Sequence, residues 1–387
     1  MTSPRLPSVL VLQRLLPSYR LPFFQALAQS PRLDLTVAYG EAAPGIALAS
    51  VPQAEGVRAV RIANWRPLGD DRIVYQRGWR QLVYGGRFDV VIAEFNPRIV
   101  SNLAACAASS INGPRFVWWG HGLGNKGPAD SWRAKLRLWL VSLADAIIFY
   151  EVAQSECFGD LGVPAEKRFV AHNALDTVGI QQLARPTSEF TGRNRVLYIG
   201  RLIAAKKVDL LLRAFAAGLA GLPRNSVLTI VGDGPERATL VQLSEDLRIA
   251  ERVEFHGSVV DEQVLAPLFN TSWVSVSPGY VGLSAVHSAA YGLPMIVARD
   301  EPHAPEVAVA REGENAWYFE SDNHAQLADL LVALGDDSAS RLRLSANARR
   351  ITNERAGLTT MVSAFEDAVA YVLSSTSTSR SNASTDE

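Results

Sequence analysis

Cysteine is nearly absent from this 387-residue chain, with only Cys106 and Cys157. Both stand among apolar residues and helix formers, and their separation fits no metal-ligand set, redox pair or disulfide framework. They are expected as buried free thiols of a reducing compartment. Histidine is scarce too, with six residues and no pair at close metal-ligand spacing. No D-x-D motif occurs, so no metal is expected at a functional site. No uninterrupted apolar run approaches the ~18 residues of a spanning helix. The longest candidate, 136–150, is broken by Arg137 and Asp145. The first twenty residues hold a short apolar run ending at Gln13, which makes a poor signal peptide. The chain therefore reads as soluble and cytoplasmic. Charge of one sign is missing as well: the net charge is −1, which argues against a nucleic-acid partner.

What is present is enough apolar residue, 48%, to bury a large core, in a chain too long for one domain of roughly 150 residues. The near-zero charge conceals a split. Residues 1–190 hold 20 Lys and Arg against 15 Asp and Glu, whereas residues 191–387 hold 18 against 24. Short β-branched and aromatic runs alternate with amphipathic stretches throughout, the rhythm of parallel sheets with crossover helices. Strands are expected at 9–12, 33–39, 57–62, 90–94, 116–119, 146–149 and 168–171, then at 196–199, 227–231, 253–256, 273–277, 295–298 and 316–319. Pro, Thr, Ser, Gly and Asn gather at 183–194 before the second series begins. The expected architecture is α/β, with two tandem doubly wound Rossmann-like domains facing a cleft. Residues 1–187 form the first domain and 188–373 the second, with the last helix free to pack back on the first. Residues 374–387, nine of fourteen Ser or Thr, are expected as a disordered tail.

A dinucleotide-binding first domain is argued against, because its first strand runs into QRLLPSYRLP without a glycine. The second domain is richer. Its first strand ends in Gly200 and Arg201, with Lys206 just beyond; two such cations could grip a diphosphate. The next strand ends in Gly232-Asp233-Gly234-Pro235-Glu236, a tight turn with Pro235 placed to open a helix. A third strand runs into Pro278-Gly279-Tyr280-Val281-Gly282-Leu283, where a helix starting near Gly282–Leu283 would offer free N–H groups to phosphates, with His287 one turn in. Taken singly, these are solvated cations, a capped turn and a structural histidine. Their shared place at the carboxyl edge of one sheet, where ligands of open α/β sheets bind, is what raises them.

In this order and at these spacings the three elements resemble glycosyltransferase family 4, retaining sugar-nucleotide enzymes of the GT-B fold. The likeness covers nearly the whole chain and is strongest over 196–319. It implies that Gly200, Arg201 and Lys206 (the G-R-x(4)-K pattern) bind the donor diphosphate, beside Gly232, Gly234, Gly282 and Leu283. It also implies that the backbone of the F-x-G-x-V stretch, Phe255 to Val259, reads the base. The family's two glutamates, eight positions apart, fall on Gly279 and His287 here. The pattern P-G-x-V-G-L-x(3)-H-S looks like a distinct branch found among surface-polysaccharide enzymes. Glu306 is the candidate replacement carboxylate, and His287 could still bond a ribose hydroxyl. In the first domain, Trp118-Trp119-Gly120-His121-Gly122 ends a strand, and the resemblance places His121 near the donor sugar, with the loop 124–126 beyond it.

The expected function is transfer of a sugar from a nucleotide-diphosphate sugar to a hydroxyl of a lipid-linked glycan acceptor, in surface polysaccharide or lipopolysaccharide assembly. The nucleotide sugar is a substrate, and no cofactor is expected. The basic helix SWRAKLRLWLVSL at 131–143 adds an expectation of peripheral contact with the inner face of the plasma membrane. The alternatives are a GT-B nucleotide-sugar epimerase and an inactive nucleotide-sugar-binding or scaffold protein.

Overall fold

A strand buried on both faces must be apolar along its whole length, and the first strand, Ser8–Gln13 (SVLVLQ), is buried at every position. In the computed structural model, which describes residues 5–43, 50–85, 87–123, 131–185 and 192–381, it lies at the centre of a parallel sheet. The described chain divides into two units, one of residues 1–172 and 358–387, the other of 173–357. The loop 124–126 and positions 186–191 of the expected linker lie outside the described residues.

In the first unit, β1 (Ser8–Gln13) is followed by β2 (Asp34–Tyr39), β3 (Ala59–Arg61), the short antiparallel pair β4 (Asn64–Trp65) and β5 (Tyr75–Gln76), then β6 (Val90–Glu94), β7 (Arg115–Gly120), β8 (Ala146–Phe149) and β9 (Arg168–Val170). The main sheet has the order β3-β2-β1-β6-β7-β8-β9, parallel throughout, so its order reverses between β1 and β6. The crossovers carry α1 (Leu21–Ala28), α2 (Trp79–Tyr84), α3 (Val100–Asn112), α4 (Trp132–Leu143) and α5 (Val152–Asp160).

The second unit holds β10 (Arg195–Ile199), β11 (Val227–Val231), β12 (Val253–Gly257), β13 (Ser272–Ser277), β14 (Met295–Ala298) and β15 (Ala316–Phe319), in the order β12-β11-β10-β13-β14-β15. Its helices are α6 (Thr177–Leu183), α7 (Val208–Gly218), α8 (Arg237–Asp246), α9 (Glu262–Asn270), α10 (Ser284–Ala290), α11 (His324–Asp336) and α12 (Ser338–Arg355). Helix α7 shows why they form: Val208, Leu211, Leu212 and Phe215 recur on one face at helical spacing and are all buried. The reversal between β10 and β13 opens a crevice at the carboxyl edge of the sheet, where their following loops diverge. The two sheets make this an α/β chain of two Rossmann-like domains.

The domain limits differ from the expected 187/188. The composition break at 183–194 comes after α6, but α6 already packs on α9 and α10 and buries Ile180 in the second unit's core. At the other end, residues 374–381 are helical where a disordered tail was expected. Helix α13 (Leu358–Ser381) runs through them, with the hydroxyls of Ser374 and Ser375 donating to the carbonyls of Tyr371 and Val372. These hydroxyls find acceptors on the helix's own carbonyls, so the polar side chains do not end it. Residues 382–387 lie outside the described residues. Cys106 is buried as expected, its thiol pushed up to about 12 chiefly by burial, whereas Cys157 is half-buried.

Helix α13 belongs to the first unit, packing against α1 and strands β7 to β9. Phe365 is fully buried, its ring 4.9 Å from those of both Phe23 and Trp119. Glu366 and Asp367 hold Arg32, and Glu366 also accepts from Ser30. The aromatic contact carries the larger energy, because Arg32 is 48% exposed and surface pairs contribute little. Phe365→Ala is expected to destabilise the first unit by about 3–5 kcal/mol, read as a lowered denaturation midpoint with an unchanged slope.

Candidate functional site

Backbone hydrogen bonds lace three loops together at the carboxyl edge of the second sheet. Gly200 N–H donates to the Val231 carbonyl (3.0 Å), Leu202 N–H to Asp233 (2.9 Å) and Glu236 N–H to Leu202 (3.1 Å). Gly232 N–H reaches on to the Gly257 carbonyl at 2.7 Å. A Cβ at Gly232 would overlap the Gly200 carbonyl oxygen, which is why this turn needs glycine. Helix α8 starts at Arg237, two residues beyond Pro235, and the Glu236 N–H just before it, which no helical carbonyl would take, is bonded by the Leu202 carbonyl. Val259, in the expected base-reading stretch, is half-buried against the cluster around Leu265 and Phe269.

The adjacent lysines divide their roles. Lys207 adopts a left-handed conformation (φ 49°) and spends its ammonium on Glu301 (2.6 Å) and Asp322 (2.8 Å). Lys206 turns the other way: its Nζ donates to the Tyr280 carbonyl at 2.7 Å and sits 4.6 Å from the Tyr280 ring centroid. Burial, then the nearby Arg201 charge, push the Lys206 ammonium down to about 8 against an opposing pull from Glu306. Arg201 is exposed and makes no side-chain hydrogen bond or ion pair among the described residues. Two cations that raise each other's energy, one of them desolvated, are a site short of negative charge.

The loop after β13 closes over this turn. Tyr280 N–H donates to the Ala205 carbonyl (3.0 Å) and Val281 N–H to Nδ1 of His303 (3.0 Å). His303 Nε2 bonds the Ala298 carbonyl at 2.8 Å, so one ring nitrogen accepts and the other donates, as in a neutral imidazole. Its pKa is lowered, mainly by burial and also by the Lys206 charge. Helix α10 begins at Ser284 with Leu283 as its cap, one residue later than expected. The N–H groups of Gly282, Leu283 and Ser284 meet no acceptor among the described residues and remain for an anion. Gly279 has no room for a side chain: a Cβ there would lie 2.6 Å from the Ala205 carbonyl oxygen. A glutamate at this position is thus excluded by the backbone packing.

Glu306 begins a short 3-10 turn (Pro305–Val309) and is buried. Its Oε1 accepts from Asn173 Nδ2 at 2.8 Å, while Oε2 is buried without a partner among the described residues. Its charge reaches both Lys206 and Tyr280; the Tyr280 phenol is raised by burial first and by Glu306 second. Arg201, Lys206, Tyr280 and Glu306 therefore form one electrostatic cluster.

His287, expected to face a ligand, is held by Glu262: Nε2 lies 3.0 and 3.1 Å from the two carboxylate oxygens. Tyr291 donates its hydroxyl to the same carboxylate at 2.6 Å, and Phe269 stacks on Tyr291 at 4.3 Å. Burial would raise the Glu262 pKa, but the His287 bond and charge, with the Tyr291 hydroxyl, bring it below its ordinary value. Sequence reading missed Glu262, His303 and Asn173, each tied to its partner across a separation of 22 to 133 residues.

His121 lies in the first unit, Glu306 in the second. His121 follows β7, is exposed, and has its ring 4.4 Å from that of Tyr150. Tyr150 OH accepts from Arg20 Nη2 (3.1 Å); Arg20 also bonds Gln13 Oε1 (3.0 Å) and lies 4.6 Å over the Trp119 ring. Burial pushes the Tyr150 phenol up to about 12. Gln13, Arg20 and Tyr150 thus join His121 at the carboxyl edge of β1, β7 and β8. Among the described residues no group of three or more His, Cys, Asp or Glu is placed to hold a metal ion.

Residues 180–351, all within the second unit, match the protein family described as Glycosyl transferases group 1. A D-inositol 3-phosphate glycosyltransferase of Rhodococcus opacus is 30% identical over 183 residues, 44% of this chain and 40% of that protein. The lipopolysaccharide core biosynthesis glycosyltransferase LpsD of Rhizobium meliloti is 32% identical over 135 residues, 33% of this chain and 38% of that one. The chain thus matches well under half the length of these relatives. In fold, the crystal structure of Anabaena HepE in complex with UDP is similar at a TM-score of 0.68 and 18% identity, covering 96% of this chain and 100% of that one.

Two outcomes are expected of this geometry. Gly279→Glu lowers stability by roughly 1–3 kcal/mol through overpacking and weakens rather than improves nucleotide binding, read by thermal melts and calorimetry. Because a bound diphosphate favours the charged amine, affinity for a nucleoside diphosphate should fall as pH rises through the Lys206 value of about 8. Lys206→Arg, charged throughout, should flatten that calorimetric pH profile.

Proposed function

We propose that this chain is a retaining glycosyltransferase that moves a sugar from a nucleotide-diphosphate sugar to a hydroxyl of a lipid-linked glycan acceptor, in surface polysaccharide or lipopolysaccharide assembly. The observation that carries the reading is the electropositive edge of the second sheet: a desolvated Lys206, with Arg201 and the three amides at 282–284 without a partner among the described residues. The family match over 180–351 supports it. UDP, bound in the HepE crystal structure, is the first nucleotide to test.

In this reading the bond between the anomeric carbon and the diphosphate breaks as one to the acceptor oxygen forms, and the acceptor proton passes to the departing diphosphate. Charge grows on that leaving group, so Arg201, Lys206 and the amides of Gly282 and Leu283 act by preorganised electrostatic stabilisation. Gly200, Gly232 and Gly234 let the backbone approach the nucleotide, and the stretch ending at Val259 reads the base. Gly279 offers the sugar its backbone. Glu306, oriented by Asn173, is a carboxylate whose charge acts on Lys206, and its Oε2, without a partner among the described residues, would accept from a sugar hydroxyl. His287 acts with Glu262 toward the ribose. His121, at the carboxyl edge of the first sheet, is the candidate that the first unit contributes. The reaction takes place on the cytoplasmic side, without a metal.

The absence of acids at 279 and 287 favours one second reading, a nucleotide-sugar-binding scaffold. Nucleotide sugars screened by thermal shift should include at least one that raises the melting temperature. With that donor, Arg201→Ala is expected to cut turnover by about 100-fold or more, and Glu306→Gln to cut it while leaving UDP affinity near normal. An absence of any stabilising nucleotide overturns the proposal. Binding without transfer or donor hydrolysis leaves the scaffold.

A further inference from the structure

Helix α4 turns the wrong residues outward. Positions 132, 135, 139 and 142 form its exposed stripe, and two of them are tryptophans, Trp132 at 69% and Trp139 at 55% exposure. The inward side is conventional, with Ala134, Leu140 and Val141 buried. A helix serving only to cover a sheet faces water with polar groups, so packing in the first unit does not account for this stripe. Its charge is one-sided: α4 contains Arg133, Lys135 and Arg137 and no acid. Helix α3, packed beside it, carries no charged residue and ends near Ile111, which is 86% exposed.

We infer that the outer face of α4 docks on a bilayer containing anionic phospholipid. Indole rings, with an apolar body and one N–H donor, settle at the boundary between headgroups and acyl chains. Lys135 stands between the two tryptophans on the stripe. The core of a protein interface is depleted of lysine, whereas at a membrane a long lysine lays its stem along apolar surface and returns its ammonium to the headgroups. The charge matches too, since cations without interspersed acids are what a phosphatidylglycerol or phosphatidylserine surface attracts. No helix among the described residues is long and apolar enough to cross a membrane, so this contact is peripheral. Helix α4 follows β7 and starts at the carboxyl edge that bears His121, and Arg137 Nη1 ties it to the Leu123 carbonyl at 3.1 Å. Docking through its first turn would set that edge at the lipid surface, where a lipid-linked acceptor resides. The inference goes beyond the transfer reaction and does not depend on it.

The test is sedimentation of the full chain with vesicles of phosphatidylcholine alone and of phosphatidylcholine with one third phosphatidylglycerol. The expected result is binding to the anionic vesicles, at least about tenfold weaker on the neutral ones and weakened by salt. The double variant Trp132→Ala, Trp139→Ala should lose about tenfold or more of that binding at an unchanged melting temperature, because both rings are exposed. Lys135→Glu should weaken it without removing apolar surface, which keeps the test decisive if the double variant misfolds. No binding by the wild type, or binding by Lys135→Glu and the double variant as tight as the wild type's, overturns the inference. So does a double variant that dissolves a dimer while vesicle binding stays constant. A failed nucleotide thermal shift beside normal vesicle binding would sink only the transferase reading.

Discussion

The second unit's site depends on one close approach, the loop after β13 lying directly against the turn after β10. The backbone at 279 comes so near Ala205 that no side chain fits, Tyr280 N–H closes the gap, and Lys206 reaches across to the Tyr280 carbonyl. From this contact follow the burial of Lys206, its depressed basicity and its proximity to Arg201 and Glu306. It also aims the vacant amides of Gly282 to Ser284 away from the protein's own acceptors. His303 fastens the far side of the same loop by accepting from Val281 while donating to Ala298.

Local arrangement therefore outweighs average charge. The second half of the chain holds six more acids than bases, a balance unfavourable to any anion. The acids that could neutralise the site are occupied elsewhere: Glu301 and Asp322 on Lys207, Glu262 on His287 and Tyr291. What remains is Arg201 without a partner among the described residues, Lys206 desolvated, and a buried carboxylate, Glu306, whose charge acts on Lys206. Charges in such surroundings interact far more strongly than in water.

Much of this was legible in the sequence, for a definite reason. Parallel strands are buried on both faces, so runs such as VLVL and VLTIV announce themselves, and the glycines after β10 and β11 mark where the backbone must turn. The boundaries were less legible, because α6 ends where the composition break begins and yet packs with the unit that follows the break. Helix α12 (SASRLRLSANARRITNER) is too polar overall to show a stripe, yet Leu344, Ala348 and Ile351 are buried along one side of it, and the end of α13 has no apolar spacing to announce a helix. Partnerships were the least visible. Nothing local to Glu262 or Asn173 shows that they meet His287 and Glu306, since those contacts depend on how distant loops converge at one sheet edge. The absent acid at 279 was visible as a departure, but its cause, a carbonyl at 2.6 Å, is a property of three dimensions.

The return of α13 to the first unit has a consequence in time. A ribosome completes residues 173–357 before it makes the helix that covers Phe23 and Trp119. The unit begun first is therefore finished last, and its aromatic face waits uncovered while the second unit is synthesised. A stop codon placed anywhere from residue 173 to 357 would therefore remove the helix that the domain preceding it needs.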